Sequence, residues 1–262
     1  MHFLHVTLVV FLSCFFTAFA QADVRLPSII GSHMVVQQGR EVPIWGWAEP
    51  GENVTVSMSG KTAIATAGED GRWQVKIGPF APGEVHAMTI TGVNEIELID
   101  ILVGEVWLCG GQSNMATSLK GYASQEELDE IDFPQIRLFK VEMNSTDEPQ
   151  EDCEGRWTLC DPVSAAEFAA NGYYFGKHLH EQLQLPVGLI HDCVSGTPGE
   201  AWASPETIEA PEYEEFVDRF HENHPQWVAT TEKYNAASRT WRKDVLEWNA
   251  NGGRGPKPAL SV

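Results

Sequence analysis

The run Cys109-Gly110-Gly111-Gln112-Ser113-Asn114-Met115 sets a hydroxyl group just past two glycines. It follows residues 99–108, an almost continuous apolar stretch that suits a strand buried on both faces of a parallel sheet. A strand that turns sharply and presents a serine at the start of the next helix favours attack on a carbonyl. The hydroxyl sits at the carboxyl end of the sheet, the helix N-terminus favours developing negative charge, and backbone N–H groups can face an oxyanion. The same residues also read as a plain N-cap serine behind turn glycines. They do not form the G-x-S-x-G elbow, because Gln112 and Met115 do not fit it.

A second turn, Cys193-Val194-Ser195-Gly196-Thr197-Pro198-Gly199-Glu200-Ala201-Trp202, follows the apolar run 187–190. Sites in open α/β sheets lie outside the carboxyl ends of the strands, so this turn could converge on Ser113, with the Gly196 amide serving the same oxyanion. Gly196 also reads as a tight turn that needs an unusual dihedral. A serine needs a base, and His191, at the end of the 187–190 run, is the nearest one in sequence. His178 and His180 are two apart on a helix and do not face each other, and His221 and His224 lack the H-E-x-x-H frame. With no CxxC pair or zinc spacing either, no metal or other cofactor is expected.

The elements that must position these residues fall into three zones. In residues 21–98, Val54, Val56 and Met58, then Trp73, Val75 and Ile77, then Met88 and Ile90 alternate with polar residues, and Pro/Gly turns separate them. That spacing predicts an antiparallel β-sandwich. Residues 99–204 predict an α/β layer: apolar runs at 99–108, 136–141 and 187–190, and a helix opened by a capping box at Ser164-Ala165-Ala166-Glu167. That helix places Phe168, Phe175, Leu179 and Leu183 on one face and ends at Leu185-Pro186. Residues 205–262 predict a helical hairpin broken at Pro225, with Tyr213, Phe216, Val217 and Phe220 on one stripe and Tyr234, Trp241, Val245 and Trp248 on the other. Helical spacing makes those aromatics a core rather than a sugar platform.

The 262 residues carry 17 Lys and Arg against 37 Asp and Glu, a net charge of −20 that repels a phosphate backbone and argues against a nucleic-acid partner. Residues 3–20 are apolar and close on Ala18-Phe19-Ala20, as in a secretory signal peptide cut after Ala20. A secreted or periplasmic location is therefore expected, with no membrane contact beyond an uncleaved signal. Once Cys14 has left with the signal, Cys153 and Cys160 form either a short-range disulfide or two reduced thiols.

These motifs together resemble the sialate O-acetylesterase family of SGNH-type carbohydrate esterases over residues 24–202. The resemblance rests on His33-Met34-Val35-Val36-Gln37, on Val42-Pro43-Ile44-Trp45-Gly46-Trp47-Ala48 with Pro50-Gly51-Glu52, and on Gly104-Glu105-Val106-Trp107-Leu108 leading into Gly111-Gln112-Ser113-Asn114-Met115. It continues through Pro186-Val187-Gly188-Leu189-Ile190-His191 to Gly196-Thr197-Pro198 and Glu200-Ala201-Trp202. It implies a flavodoxin-like hydrolase layer behind the sandwich and an O-acetylated sugar as substrate. Ser113 would be the nucleophile, Ser113 and Gly196 would form the oxyanion hole, and Gln112, Asn114, Glu200 and Trp202 would contact substrate. Ser195 stands where the family more often has glycine, and the family carries a histidine at the His191 position without a catalytic role. The family's Gln-Gly-Glu and Asp-x-x-His-Pro segments, which supply the acid and the base, have no counterpart here. Asp218-Arg219-Phe220-His221 lacks the proline and lies inside the predicted hairpin. The resemblance therefore implies an N-terminal fragment with an incomplete α/β layer, weak or inactive as an esterase. A non-catalytic glycan-binding or scaffold protein is the alternative.

Overall fold

The structure is a computed structural model that describes residues 23–144, 149–208, 210–253 and 255–259. The expected signal peptide, residues 1–20, lies outside them. The chain divides into two units, Met1–Thr197 and Pro198–Val262.

In the first unit a two-residue loop, Ser59-Gly60, joins β3 (Asn53–Met58) to β4 (Lys61–Thr66). Both loop residues have positive φ, 51° and 72°, as tight hairpin turns require. β6 (His86–Thr91) pairs antiparallel with β3 on one side and with β7 (Glu95–Gly111) on the other. A separate two-stranded sheet joins β2 (Val42–Trp47) to β5 (Arg72–Ile77). The inward residues of both sheets, Ile44, Val54, Val56, Trp73, Val75, Met88 and Ile90 among them, share one hydrophobic core, as their alternation predicts.

β7 has 17 residues and does not stop at the expected 98/99 boundary. Its first part pairs antiparallel with β6. Further on it pairs parallel with β1 (Val35–Gln37) and then with β10 (Val187–Cys193). β10 in turn pairs parallel with β8 (Phe133–Lys140), and β9 (Trp157–Cys160) closes that edge antiparallel. The result is a mixed α/β fold whose large sheet of eight strands runs from β4 to β9. The change of partners on β7 coincides with a bulge, where the register shifts between His86 and Met88 and Asp100 takes a φ of 57°.

β7 is buried on both faces only in its middle. Ile101, Leu102 and Val103 are at most 4% exposed, whereas Ile99, Trp107 and Leu108 are 52%, 43% and 67% exposed. Burial on both faces needs a layer on each side. Helix α4 (Ala170–Leu183) covers one face, where Trp107 meets Phe175 edge-on at 5.1 Å, and Leu108 points to the other. Half of the predicted stripe is core, since Phe168 just before α4 is buried and Leu179 packs on the second core, but the rest of the buried face of α4 differs from it. Ala170, Gly172, Tyr173 and Gly176 are buried, while Phe175 and Leu183 are 43% and 47% exposed. Glycine is what lets the helix approach: a Cβ on Gly176 would lie 2.5 Å from Leu189 Cδ1.

The capping box lies one turn earlier than predicted. Asp161 caps helix α3 (Pro162–Ala166) by accepting from the N–H groups of Val163 and Ser164, and the Ser164 hydroxyl accepts from the Asp161 N–H. The four cysteines among the described residues are free thiols. Cys153 packs on the core of the two small-strand sheets and Cys160 is buried in the second core between β10 and α4, so the short-range pair is not joined.

Gly104 marks the closest approach within the sheet: a Cβ there would lie 2.0 Å from the Pro186 carbonyl oxygen, which also accepts from the Glu105 N–H. Gly104→Ala must push β10 off β7. It is expected to lower stability by about 1–3 kcal/mol, read as a lower urea midpoint at constant slope.

In the second unit the predicted hairpin is a single helix, α6 (Glu214–Ala250), of 37 residues with Pro225 inside it. A proline removes one N–H donor and crowds the preceding turn, but it ends a helix only where the flanks also favour turning. Residues 222–229 contain no glycine and do not supply that. The aromatic stripe meets the returning tail rather than a second helix: the Trp241 and Trp248 indoles donate to the carbonyls of Pro258 and Gly255 at 3.0 and 3.1 Å.

Candidate active site

Four residues after its last large apolar side chain, β7 reaches Gln112 and turns. Gly111 has a φ of 141°, and a helix of one turn, α1 (Ser113–Ala116), begins. Gln112 rather than Ser113 is the N-cap, so Ser113 is the first helical residue and stands exposed at the carboxyl end of the sheet. A helix this short has a small dipole, so the hole must draw on individual N–H groups more than on a macrodipole.

The Gln112 Oε1 accepts from both the Ser113 N–H at 2.8 Å and the Ser113 Oγ–H at 2.7 Å. Both donors of the proposed nucleophile thus end on one amide oxygen. An amide does not take up a proton near neutral pH, so Gln112 orients the hydroxyl without activating it. No histidine is within hydrogen-bond distance of Ser113 Oγ among the described residues.

The second turn comes to the same edge. Cys193 is paired with Gly111 across the sheet, and the Val194 N–H donates to the Gly111 carbonyl at 3.1 Å. Gly196 follows two residues later with a φ of 84°, and its N–H has no acceptor among the described residues. Nothing lies within 4 Å of where a Cβ would be, so its glycine answers to the dihedral alone. The Thr197 hydroxyl donates to the Val194 carbonyl at 2.8 Å and closes the turn.

Two residues that the motifs did not single out hold α1 in place. The Thr117 hydroxyl donates to the Ser113 carbonyl at 2.9 Å, and the Asn171 side-chain amide donates to the Asn114 carbonyl at 2.9 Å. No spacing in the sequence marks Asn171, because its partner is 57 residues away.

Of the expected substrate contacts, Gln112 and Asn114 flank Ser113 and are exposed. Trp202, 39% exposed, belongs to the second unit, and the Glu200 side chain lies outside the described residues. Asp218 and His221 both fall within α6, and the His221 side chain is likewise outside them.

His191 is not placed as a base. It is 6% exposed, its ring is tilted by 57° against that of Phe168 at 5.4 Å, and neither ring nitrogen has a hydrogen-bond partner among the described residues. Burial, with the Lys140 charge adding to it, holds its pKa below the ordinary 6.5, while the Met115 backbone and Asp192 oppose the shift. The neighbouring thiols are no rival nucleophiles. Burial raises Cys109, and burial with Asp192 and Cys109 pushes Cys193 up to about 11.

His191 yields a stability prediction. Below pH 6.5 the unfolded chain protonates this ring before the folded chain does, so stability falls as pH drops from 6.5 toward the folded value and is level above 6.5. The depressed carboxylates, with ordinary values of 3.8 for Asp100 and Asp161 and 4.5 for Glu167 and Glu206, act lower on the scale. His191→Leu is expected to flatten the upper limb of the urea midpoint-versus-pH curve. At pH 7.5 it should raise stability by up to about 1 kcal/mol, since two unsatisfied buried nitrogens are removed.

The profile of the family described as "carbohydrate esterase, sialic acid-specific acetylesterase" matches residues 103–234, which take in the second half of β7, the Ser113 turn and the Gly196 turn. The chain belongs to this family. Among its curated relatives are the sialate O-acetylesterases of Rattus norvegicus, 32% identical over 208 residues, and of Homo sapiens, 32% identical over 212. Each match covers 71% of this chain but only 38% and 40% of those proteins, which are carboxylic ester hydrolases. The chain thus spans about two fifths of the length of the curated relatives it matches. A solved carbohydrate acetylesterase of Xanthomonas citri superposes with a TM-score of 0.68 at 31% identity, over 73% of this chain and 45% of that one. The region matched by the family profile thus includes the Ser113 turn.

Proposed function

We propose that this chain carries the nucleophile of a secreted esterase that removes O-acetyl groups from sugars, sialic acids among them, within an SGNH-type, flavodoxin-like layer behind a β-sandwich. The observation that supports it most is the convergence of two turns at one sheet edge, with Ser113 after β7 and the unpaired Gly196 N–H after β10, paired through Cys193 and Gly111.

The steps follow from the atoms present. Ser113 Oγ attacks the acetyl carbonyl and gives up its proton. The Gly196 N–H, joined by the Ser113 N–H once Gln112 Oε1 releases it, stabilises the oxyanion. The C–O bond to the sugar breaks, the sugar oxygen takes a proton, and water then frees acetate from the acyl-serine. The proton on Ser113 needs an acceptor that no described residue supplies, and the chain alone is proposed to be weak.

The test is acetate release from O-acetylated sialic acid and from an acetylated neutral polysaccharide, with mass-spectrometric detection of an acetyl group on the Ser113 peptide after rapid acid quench. Acetyl on Ser113 supports the reading. Turnover with acetyl on no serine sinks it. No turnover, with glycan binding retained, moves the non-catalytic reading ahead, for which the Gln112-bound state of Ser113 speaks.

A further inference from the structure

We propose that the outer face of the β2–β5 sheet is a second, non-catalytic glycan-binding site that takes the pyranose rings of a neutral polysaccharide. The inference takes from the proposed function only that this chain works on glycans; nothing in it involves Ser113.

The two strands pair so that Trp45 lies opposite Gln74 and Trp47 opposite Arg72. Alternation sends Ile44, Trp73 and Val75 into the core and sends Pro43, Trp45, Trp47, Arg72 and Gln74 outward. The outer residues line a cleft of about 530 Å³, with Glu151 at its border. Two tryptophans at i and i+2 on one strand stand about 7 Å apart. Pyranose rings present flat C–H faces that can lie on such indole rings.

Both tryptophans are half-buried, Trp45 partly against the sandwich core, and each still lines the cleft with part of its ring, apolar area that water penalises. The polar groups around them are planar and hydrogen-bonding, as a site selective for hydroxyls needs: the Gln74 amide, the Arg72 guanidinium and the Glu151 carboxylate. They are also already ordered. Glu151 pairs with Arg72 and accepts from the Trp47 indole N–H at 3.3 Å, and the Arg25 guanidinium lies 5.5 Å from the Trp47 ring centre. That cation covers one face of Trp47 and leaves Trp45 as the main stacking surface.

The charge balance selects the ligand. Arg72 is shared between Glu151 and Asp70, with Asp70 at 3.6 Å, and with Arg25 on Trp47 the two cations are matched by two carboxylates, so the cleft has no excess positive charge to draw an acidic sugar. Neutral pyranoses fit this arrangement better.

The experiment is calorimetric titration of the chain with xylohexaose, which is neutral and carries no acetyl group, and with sialyllactose, which is acidic. Saturable millimolar or tighter binding of xylohexaose is expected, at least about 10-fold tighter than sialyllactose. Trp45→Ala is expected to weaken it about 10-fold or more, and Gln74→Ala, on an exposed side chain that cannot threaten folding, about 3- to 10-fold. Trp45→Phe, which keeps a ring, should restore most of the loss. No saturable binding of xylohexaose, or binding unchanged in both Trp45→Ala and Gln74→Ala, overturns the proposal. So does self-association that Trp45→Ala abolishes, since a second copy of the chain would then be the occupant. Because the probe has no ester, binding without hydrolysis leaves this site standing and the esterase reading in question. Hydrolysis without xylohexaose binding does the reverse.

Discussion

Ser113→Ala is expected to lower acetate release by this chain about 10-fold or more, toward what the oxyanion hole and binding supply without a nucleophile, with no loss of fold. The parent's advantage over buffer should itself be small, because a serine hydroxyl with no adjacent base is a weak nucleophile. All of that advantage that depends on covalent attack passes through one hydroxyl, because the buried Cys109 and Cys193 thiols hold their protons at neutral pH. Ser113 is exposed and its hydroxyl bonds only to Gln112 among the described residues, so its removal empties no core. The measurement is initial acetate release against far-ultraviolet circular dichroism of both proteins. Turnover that survives Ser113→Ala at more than about a tenth of the parent rate would assign the chemistry elsewhere. Gln112→Ala separates orientation from activation: it frees both Ser113 donors, so a rate that rises marks the Gln112 bond as a restraint on the nucleophile.

The parts of this fold legible in the sequence are those fixed by local periodicity. Val54, Val56 and Met58 alternate because their strand has one wet face, and all three are at most 2% exposed. The Ser113 turn was legible because glycine and serine there obey a local rule about strand ends. What could not be read depends on partners far away in the chain. Nothing near Asp100 announces a bulge, because its cause is Arg137, 37 residues on. α4 hides its core face in Gly172 and Gly176, which count as weak helix formers until Cys109 and Leu189 are set against them. The Phe175 stripe looked like a core because periodicity registers size and polarity, not closeness of approach. Pro225 looked like a helix end for a similar reason, and β4 escaped notice because its side chains are mostly outside, with Ile64 67% exposed.

Asp100→Ala carries the largest stability effect expected here, about 3–5 kcal/mol, because it strands a buried cation. Arg137, 4% exposed, gives its Nε–H to the Pro134 carbonyl at 2.9 Å and both terminal nitrogens to the Asp100 carboxylate, at 2.5 and 3.0 Å. His33 Nδ1 lies 2.6 Å from the same carboxylate. This knot joins β8 to the bulge of β7 at the place where that strand passes from antiparallel to parallel partners, so its loss loosens that junction of the large sheet. The substitution adds a backbone penalty, since Asp100 sits at a φ of 57°, a region that aspartate tolerates better than alanine. Asp100→Asn keeps that tolerance and one acceptor, and should cost less than Asp100→Ala. Combining it with Arg137→Met, which removes the stranded charge, should recover part of the loss. The carboxylate also sets an acid limit. The Arg137 hydrogen bonds, with His33 assisting and burial opposing, hold its pKa below the ordinary 3.8. Its contribution is therefore present above pH 3.8 and is lost as pH falls from there through the folded value. Urea midpoints across that range should fall more steeply for the parent than for Asp100→Asn. Equal slopes, with Asp100→Ala costing under about 1 kcal/mol, would mean that the guanidinium finds water or another partner and that the bulge is held by the β-ladders alone.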